Sequence, residues 1–259
     1  MITRREVAVG GLLTIVFGTG LGCACAHAAG ENTAPADGCM IPESAVDALL
    51  GSDREAPVYL SGSNPRMLPS SGDRDFDFAL AMTLSKLTDI FGVLPGFRYF
   101  DDSRAPNALA TTRQLAARSD GTVLFGLTYL KRAMRWPQHP DAAVAAICAH
   151  EFAHIMQFKN DIHLRLRDGQ STVKRVELHA DFLSGYFAGL RKRARPDFPA
   201  QVFVDWSRNV GDYQTHHRNH HGTPRQRAEA AVRGFETAYR DRLAFSEAVD
   251  KGIRWAETM

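Results

Sequence analysis

The stretch AHEFAHIMQF, residues 149 to 158, carries two histidines four positions apart, with a glutamate directly after the first. On an α-helix, residues four apart lie on one face, one turn above the other. His150 and His154 can therefore aim an imidazole nitrogen at the same point. Glu151 is rotated away from that point, far enough to reach a small ligand there without displacing what holds it. The plainer reading is a packed helix with two satisfied histidines. A carboxylate or histidine on a neighbouring element would decide between the two.

RVELHADFLSG, residues 175 to 185, offers one. The interval between His154 and Glu177 leaves room for a turn and a returning helix, and Asp181 falls one turn after Glu177 on the same face. The expected site is one Zn2+ held by His150, His154 and Glu177. Asp181 accepts the free ring N–H of a ligating histidine, His150 first. Ala180, Ser184, Gly185 and Ala188 are small, so this helix can approach the first one closely. H-E-x-x-H is the zinc-hydrolase arrangement: zinc takes two histidines, a third protein ligand and a water, and acidifies that water. Glu151 is placed to act as the general base.

These motifs resemble the gluzincin-type zinc metallopeptidases, in which H-E-x-x-H is followed by E-L-x-A-D, here ELHAD at 177 to 181. Two branches are similar. In the neutral zinc metallopeptidases H-G-T-x-x-Q-R comes later, matched by HGTPRQR at 221 to 227. In the M48-type peptidases an N-A-F-A strand and a glycine-containing edge strand come before the zinc helix. NALA (107 to 110) is similar to the first, with Leu109 in place of the aromatic, and DGTVLFG (120 to 126) to the second. The resemblance covers about residues 105 to 240. It implies a zincin-like fold, peptide-bond hydrolysis, and His221 and Arg227 beside the metal as candidate oxyanion stabilisers. Against that role stands a simpler one, in which HGTPRQR only starts a helix and Arg227 pairs with an acid.

Arg4 and Arg5, the apolar run at 7 to 22 and the small residues of ACAHAAG read as a secretory signal peptide over residues 1–28. The run is short and glycine-rich for a membrane span, and TRREVAV loosely resembles a twin-arginine signal. The expected destination is the periplasm or the medium, with no stable membrane span in the mature chain. A lipoprotein reading through Cys23 meets a poor lipobox. Cleavage would remove Cys23 and Cys25, leaving Cys39 and Cys148 either as one disulfide or as buried thiols.

With 259 residues, net charge +2 and 44% hydrophobic residues, the chain can bury a sizeable core, and no nucleic-acid partner is implied. The basic run Arg191, Lys192, Arg193, Arg195 reads as a solvated helix end. Residues 29–71 read as an irregular arm or a propeptide, and 72–259 as the metallopeptidase domain. Helices are expected over 73 to 91, 127 to 136, from Pro140 to about Phe158, from a Ser171 N-cap to about Arg193, around DFPAQVFVDWSRNV, from Thr223, and over 243 to 256. Strands are expected at GFRYFDD and TVLFG. The architecture is α+β: a small sheet, then a helical bundle. TVLFG is the expected edge strand for an extended peptide or protein substrate. Two other readings compete: a non-catalytic zinc-stabilised binding or chaperone-like protein, and metal scavenging by HHRNHH (216 to 221).

Overall fold

A computed structural model of the chain describes residues 39–50, 71 and 73–259. The signal-peptide reading of residues 1–28 lies outside the described residues, as does most of the arm. The fold is α+β, with a three-stranded mixed sheet and nine helices among the described residues. The strands are β1 (Gly96–Phe100), β2 (Ala108–Thr111) and β3 (Thr122–Gly126), in the order β1-β3-β2. β3 runs parallel to β1 and antiparallel to β2. TVLFG is thus the central strand, not the edge strand expected from the sequence, and the outer strands are β1 and β2. Strand order is a non-local property that apolar runs alone do not reveal.

Both faces of the sheet are covered, because successive residues of a strand point to opposite sides. Phe97, Val123 and Phe125 enter the main core, whereas Phe100, Leu109 and Leu124 form a second cluster with Ile41 and Val46. Ile41 and Val46 come from α1 (Glu43–Leu50) and the residues before it. The described end of the arm is therefore a packed layer of the domain.

α2 (Arg74–Phe91) starts at Asp73, whose carboxylate accepts from the Phe76 N–H, and stops at Gly92 in the left-handed region (φ 64°). The short α3 (Leu127–Ala133) follows β3 directly. α4 (Pro140–Lys159) has proline in its first turn and Asp141 beside it, both favourable there. It is buried from Ala142 to Gln157, the pattern of a helix enclosed on every side. α5 (Ile162–Arg167) turns the chain back into α6 (Lys174–Ala194). The N-cap of α6 is Val173, which makes no side-chain cap bond, two residues after the Ser171 N-cap expected from the sequence. The Val173 N–H donates to the Arg218 carbonyl, a contact with a distant loop that fixes the entry instead.

α7 (Gln201–Asn209), α8 (Pro224–Tyr239) and α9 (Phe245–Glu257) complete the helical half. Thr223 and Gln226 form the expected capping box of α8. The small residues of α6 serve two neighbours: Ser184 Oγ donates to the Ala146 carbonyl of α4 (3.1 Å), while Gly185 meets α8 at Ala231. On α8, a Cβ at Gly234 would collide with the Phe182 carbonyl of α6. The two backbones therefore touch where no side chain fits, which holds α6 against both helices.

Candidate metal centre

α4 and α6 bring the expected ligands together in the interior. His154 Nε2 lies 3.0 Å from His150 Nε2 and 3.6 Å from Glu177 Oε1, and His150 Nε2 lies 3.2 Å from Glu177 Oε2. His150 is nearly buried, and His154 and Glu177 fully so. The other ring nitrogens are engaged. His150 Nδ1 is 3.0 Å from Asp181 Oδ1, and His154 Nδ1 is 2.8 Å from Gln157 Oε1. Gln157 Nε2 donates to the Val176 carbonyl (2.9 Å) and faces His179 Nδ1 (2.9 Å), which directs its oxygen at His154. His179 Nε2 in turn faces the Val249 carbonyl at 3.3 Å.

With both Nδ1 atoms donating, the Nε2 lone pairs of His150 and His154 point at each other beside a carboxylate. Three acceptors facing one point repel unless a cation sits among them. In the metal-free protein a proton fills that role. Burial alone would lower the His150 pKa, but hydrogen bonds and charge from Asp181 and Glu177 outweigh it and lift it to about 10. Burial and the neighbouring His150 charge, opposed by Glu177, take His154 down to about 4. Burial would raise Glu177, yet the charges of His221, His154 and His150 hold it well below the usual carboxylate range.

The spacing also suits a metal ion. Nitrogen and oxygen ligands about 2.0–2.1 Å from zinc in a tetrahedron lie about 3.3–3.4 Å apart, and the separations here run from 3.0 to 3.6 Å. The donor set, two imidazoles and a carboxylate with their remaining atoms hydrogen-bonded, fits Zn2+. Cys39 joins it: one donor atom from each of Cys39, His150, His154 and Glu177 falls within 4.8 Å of all the others.

Arg227 is buried and engaged. Its Nε donates to Asp181 Oδ2 (2.6 Å), its Nη2 to Asp181 Oδ1 (3.0 Å) and its Nη1 to the Val210 carbonyl (3.3 Å). Asp181 also accepts from Ser207 Oγ (3.1 Å). The charge of Arg227 offsets the burial of Asp181 and holds its carboxyl below the usual range. His221 is buried nearby: its N–H donates to Asp212 Oδ2 (3.0 Å), and its charge acts on Glu177. His220 Nδ1 also meets Asp212, at 2.6 Å. No histidine of 216 to 221 belongs to the metal-capable cluster found among the described residues.

Glu151 is buried and borders a cavity of about 20 Å³, room for about one water. Cys39, His150, Asp181, Ser207 and Arg227 also border it. Cys39 and Cys148 are both buried and are not bridged to each other. Burial and the charge of Glu151 push the Cys148 thiol up, the mark of an unreactive core thiol.

The sequence reading missed Gln157, Ser207 and the metal-side position of Cys39. Gln157 carries a local signal, lying three residues after His154 on the same helical face. Cys39 and Ser207 carry none. No family profile, curated protein or solved structure matches this chain. Among the described residues no helix is long and apolar enough to cross a membrane.

Proposed function

We propose that this chain is an exported zinc endopeptidase with a zincin-like arrangement of sheet and active-site helix. The observation that carries the reading is the convergence of His150 Nε2, His154 Nε2 and the Glu177 carboxylate on one point, with Glu151 at the adjoining cavity. A bound zinc would supply a Lewis acid that acidifies a water and polarises the scissile carbonyl. Glu151, at the adjoining cavity, would hold the attacking water, take its proton and pass it to the leaving amine. Asp181 and Gln157 fix the tautomers that leave both Nε2 atoms as ligands. Arg227 acts through Asp181, by neutralising it and holding it in place, and His221 is the remaining candidate for the oxyanion. An extended peptide would pair with the edge of β2 only once residues 39 to 41, which bond to Ala110 there, had left it.

A second reading rests on Cys39. Four protein donors close a zinc site, as in structural zinc proteins, and the chain would then be a zinc-stabilised binding protein. The test is a paired assay of zinc content and peptide-library cleavage on the same preparations. Glu151→Gln should hold zinc like the parent and lose cleavage by about 10²- to 10⁴-fold. Equal cleavage by the metal-loaded variant removes Glu151 from the mechanism, and cleavage by neither form favours the binding protein.

A further inference from the structure

Residues 39 to 41 occupy the outer edge of β2. Met40 bridges Ala110 in parallel, the Ala110 N–H donates to the Cys39 carbonyl (2.8 Å), and the Ile41 N–H donates to the Ala110 carbonyl (3.0 Å). The segment thus makes the main-chain bonds that an incoming extended peptide would make. Its Cys39 N–H donates to Glu177 Oε1 (3.1 Å), and the Cys39 side chain points into the donor cluster and the cavity of Glu151. Met40 is buried in the main core, and Ile41 and Val46 in the cluster with Phe100, Leu109 and Leu124. Just after Cys39 the segment is therefore anchored on both faces of the sheet.

We propose that residues 39 to 41 are a built-in inhibitory strand, and that the Cys39 thiolate is the fourth protein ligand of the zinc, filling the position the reaction needs open. On ligation the thiol gives its proton to solvent, and sulfur takes the place of the water beside Glu151. Zinc favours this, because thiolate is among its preferred ligands. The inference rests on the zinc-peptidase reading and adds its regulation: the full chain is held closed, and turnover needs Cys39 to leave the metal.

Excising the segment would bare Leu109, Leu124 and Phe100, so the test uses point variants of the full chain. Wild type, Cys39→Ala and Cys39→Ser are loaded with cobalt(II) and with zinc, and assayed for spectrum, metal content and peptide-library cleavage. The wild type should show a near-ultraviolet thiolate-to-cobalt charge-transfer band that both variants lack, while all three keep one zinc. If the open state is populated at about 1–10%, cleavage should rise about 10- to 100-fold in the variants. That gain should disappear in Cys39→Ala/Glu151→Gln. No band in the wild type, or equal cleavage by wild type and variants, overturns the inhibitory strand and leaves the peptidase standing. A band without cleavage by any form sinks both the peptidase and the inhibition, and makes Cys39 a structural ligand. Loss of zinc from both variants does the same to the inhibition.

Discussion

Gln157 Oε1 lies 2.8 Å from His154 Nδ1, less than one turn further along α4. The carboxamide cannot rotate without losing its bonds to Val176 and His179 on α6. His154 is therefore held as the tautomer with Nδ1 protonated and Nε2 free to ligate. Gln157→Leu keeps the bulk and removes the acceptor, so zinc affinity should fall about 10- to 100-fold. Gln157→Glu keeps the acceptor and should bind zinc more nearly like wild type. Competition with a chromogenic chelator measures both. Equal affinity in the leucine variant would reduce Gln157 to a packing residue.

Asp181 joins His150 to Arg227 and has no spare oxygen. Asp181→Asn replaces one acceptor with an amide that cannot accept from both the guanidinium and the ring. Metal affinity should drop about 10- to 100-fold. Asp181→Ala should also destabilise the fold by about 3–5 kcal/mol, because it leaves the buried Arg227 charge without its main partner. Urea denaturation of the metal-free variants checks this. A loss of affinity with unchanged stability would mean that Arg227 is neutralised elsewhere, with Glu177 3.8 Å from its Nη2 as the first alternative.

The raised His150 pKa gives the metal-free protein a definite pH response. A group whose folded pKa lies above its unfolded value adds stability that is complete below the unfolded value and disappears as pH rises through the folded one. For His150 that window runs from about 6.5 to about 10. Chelator-treated protein should lose stability across this window. The zinc-loaded protein should not, because raising the pH removes the protons that compete with the metal. Denaturation midpoints with and without zinc, compared over the range, give the answer. Parallel profiles would show that no proton is shared at the site.

The parts of this architecture that the sequence reveals are the local ones. α4 and the α8 capping box follow from Pro140, Asp141, Thr223 and Gln226, whose effects act within one turn. The pairing of His150 and His154 is a property of helical period alone. What is hidden depends on contacts far apart in sequence. Val173 opens α6 because Arg218 receives its N–H. β3 is central because β2 returns beside it, and Cys39 meets Glu177 across 138 residues. No pattern of spacing encodes such meetings; they arise from how layers close over one core.

Glu177 is the ligand whose loss best tests the geometry of the centre. Its carboxylate faces both imidazoles and lies on a different helix from them, so it ties α6 to α4 through the metal. Glu177→Ala leaves two imidazoles and the Cys39 thiol, a set without its charged oxygen donor, and zinc should be lost on dialysis against a mild chelator. His179, two residues on, points to a different side of α6. It is already held between Gln157 and the Val249 carbonyl, and burial lowers its pKa to about 4. It should therefore supply no replacement ligand, and Glu177→Ala/His179→Gln should hold no less zinc than Glu177→Ala. Glu177→Asp shortens the reach by one methylene and should fall between wild type and alanine. Zinc content by atomic emission, on protein shown to be folded by circular dichroism, reads all four. Full occupancy in folded Glu177→Ala would mean that the ion is held by the histidines and Cys39 without help from α6.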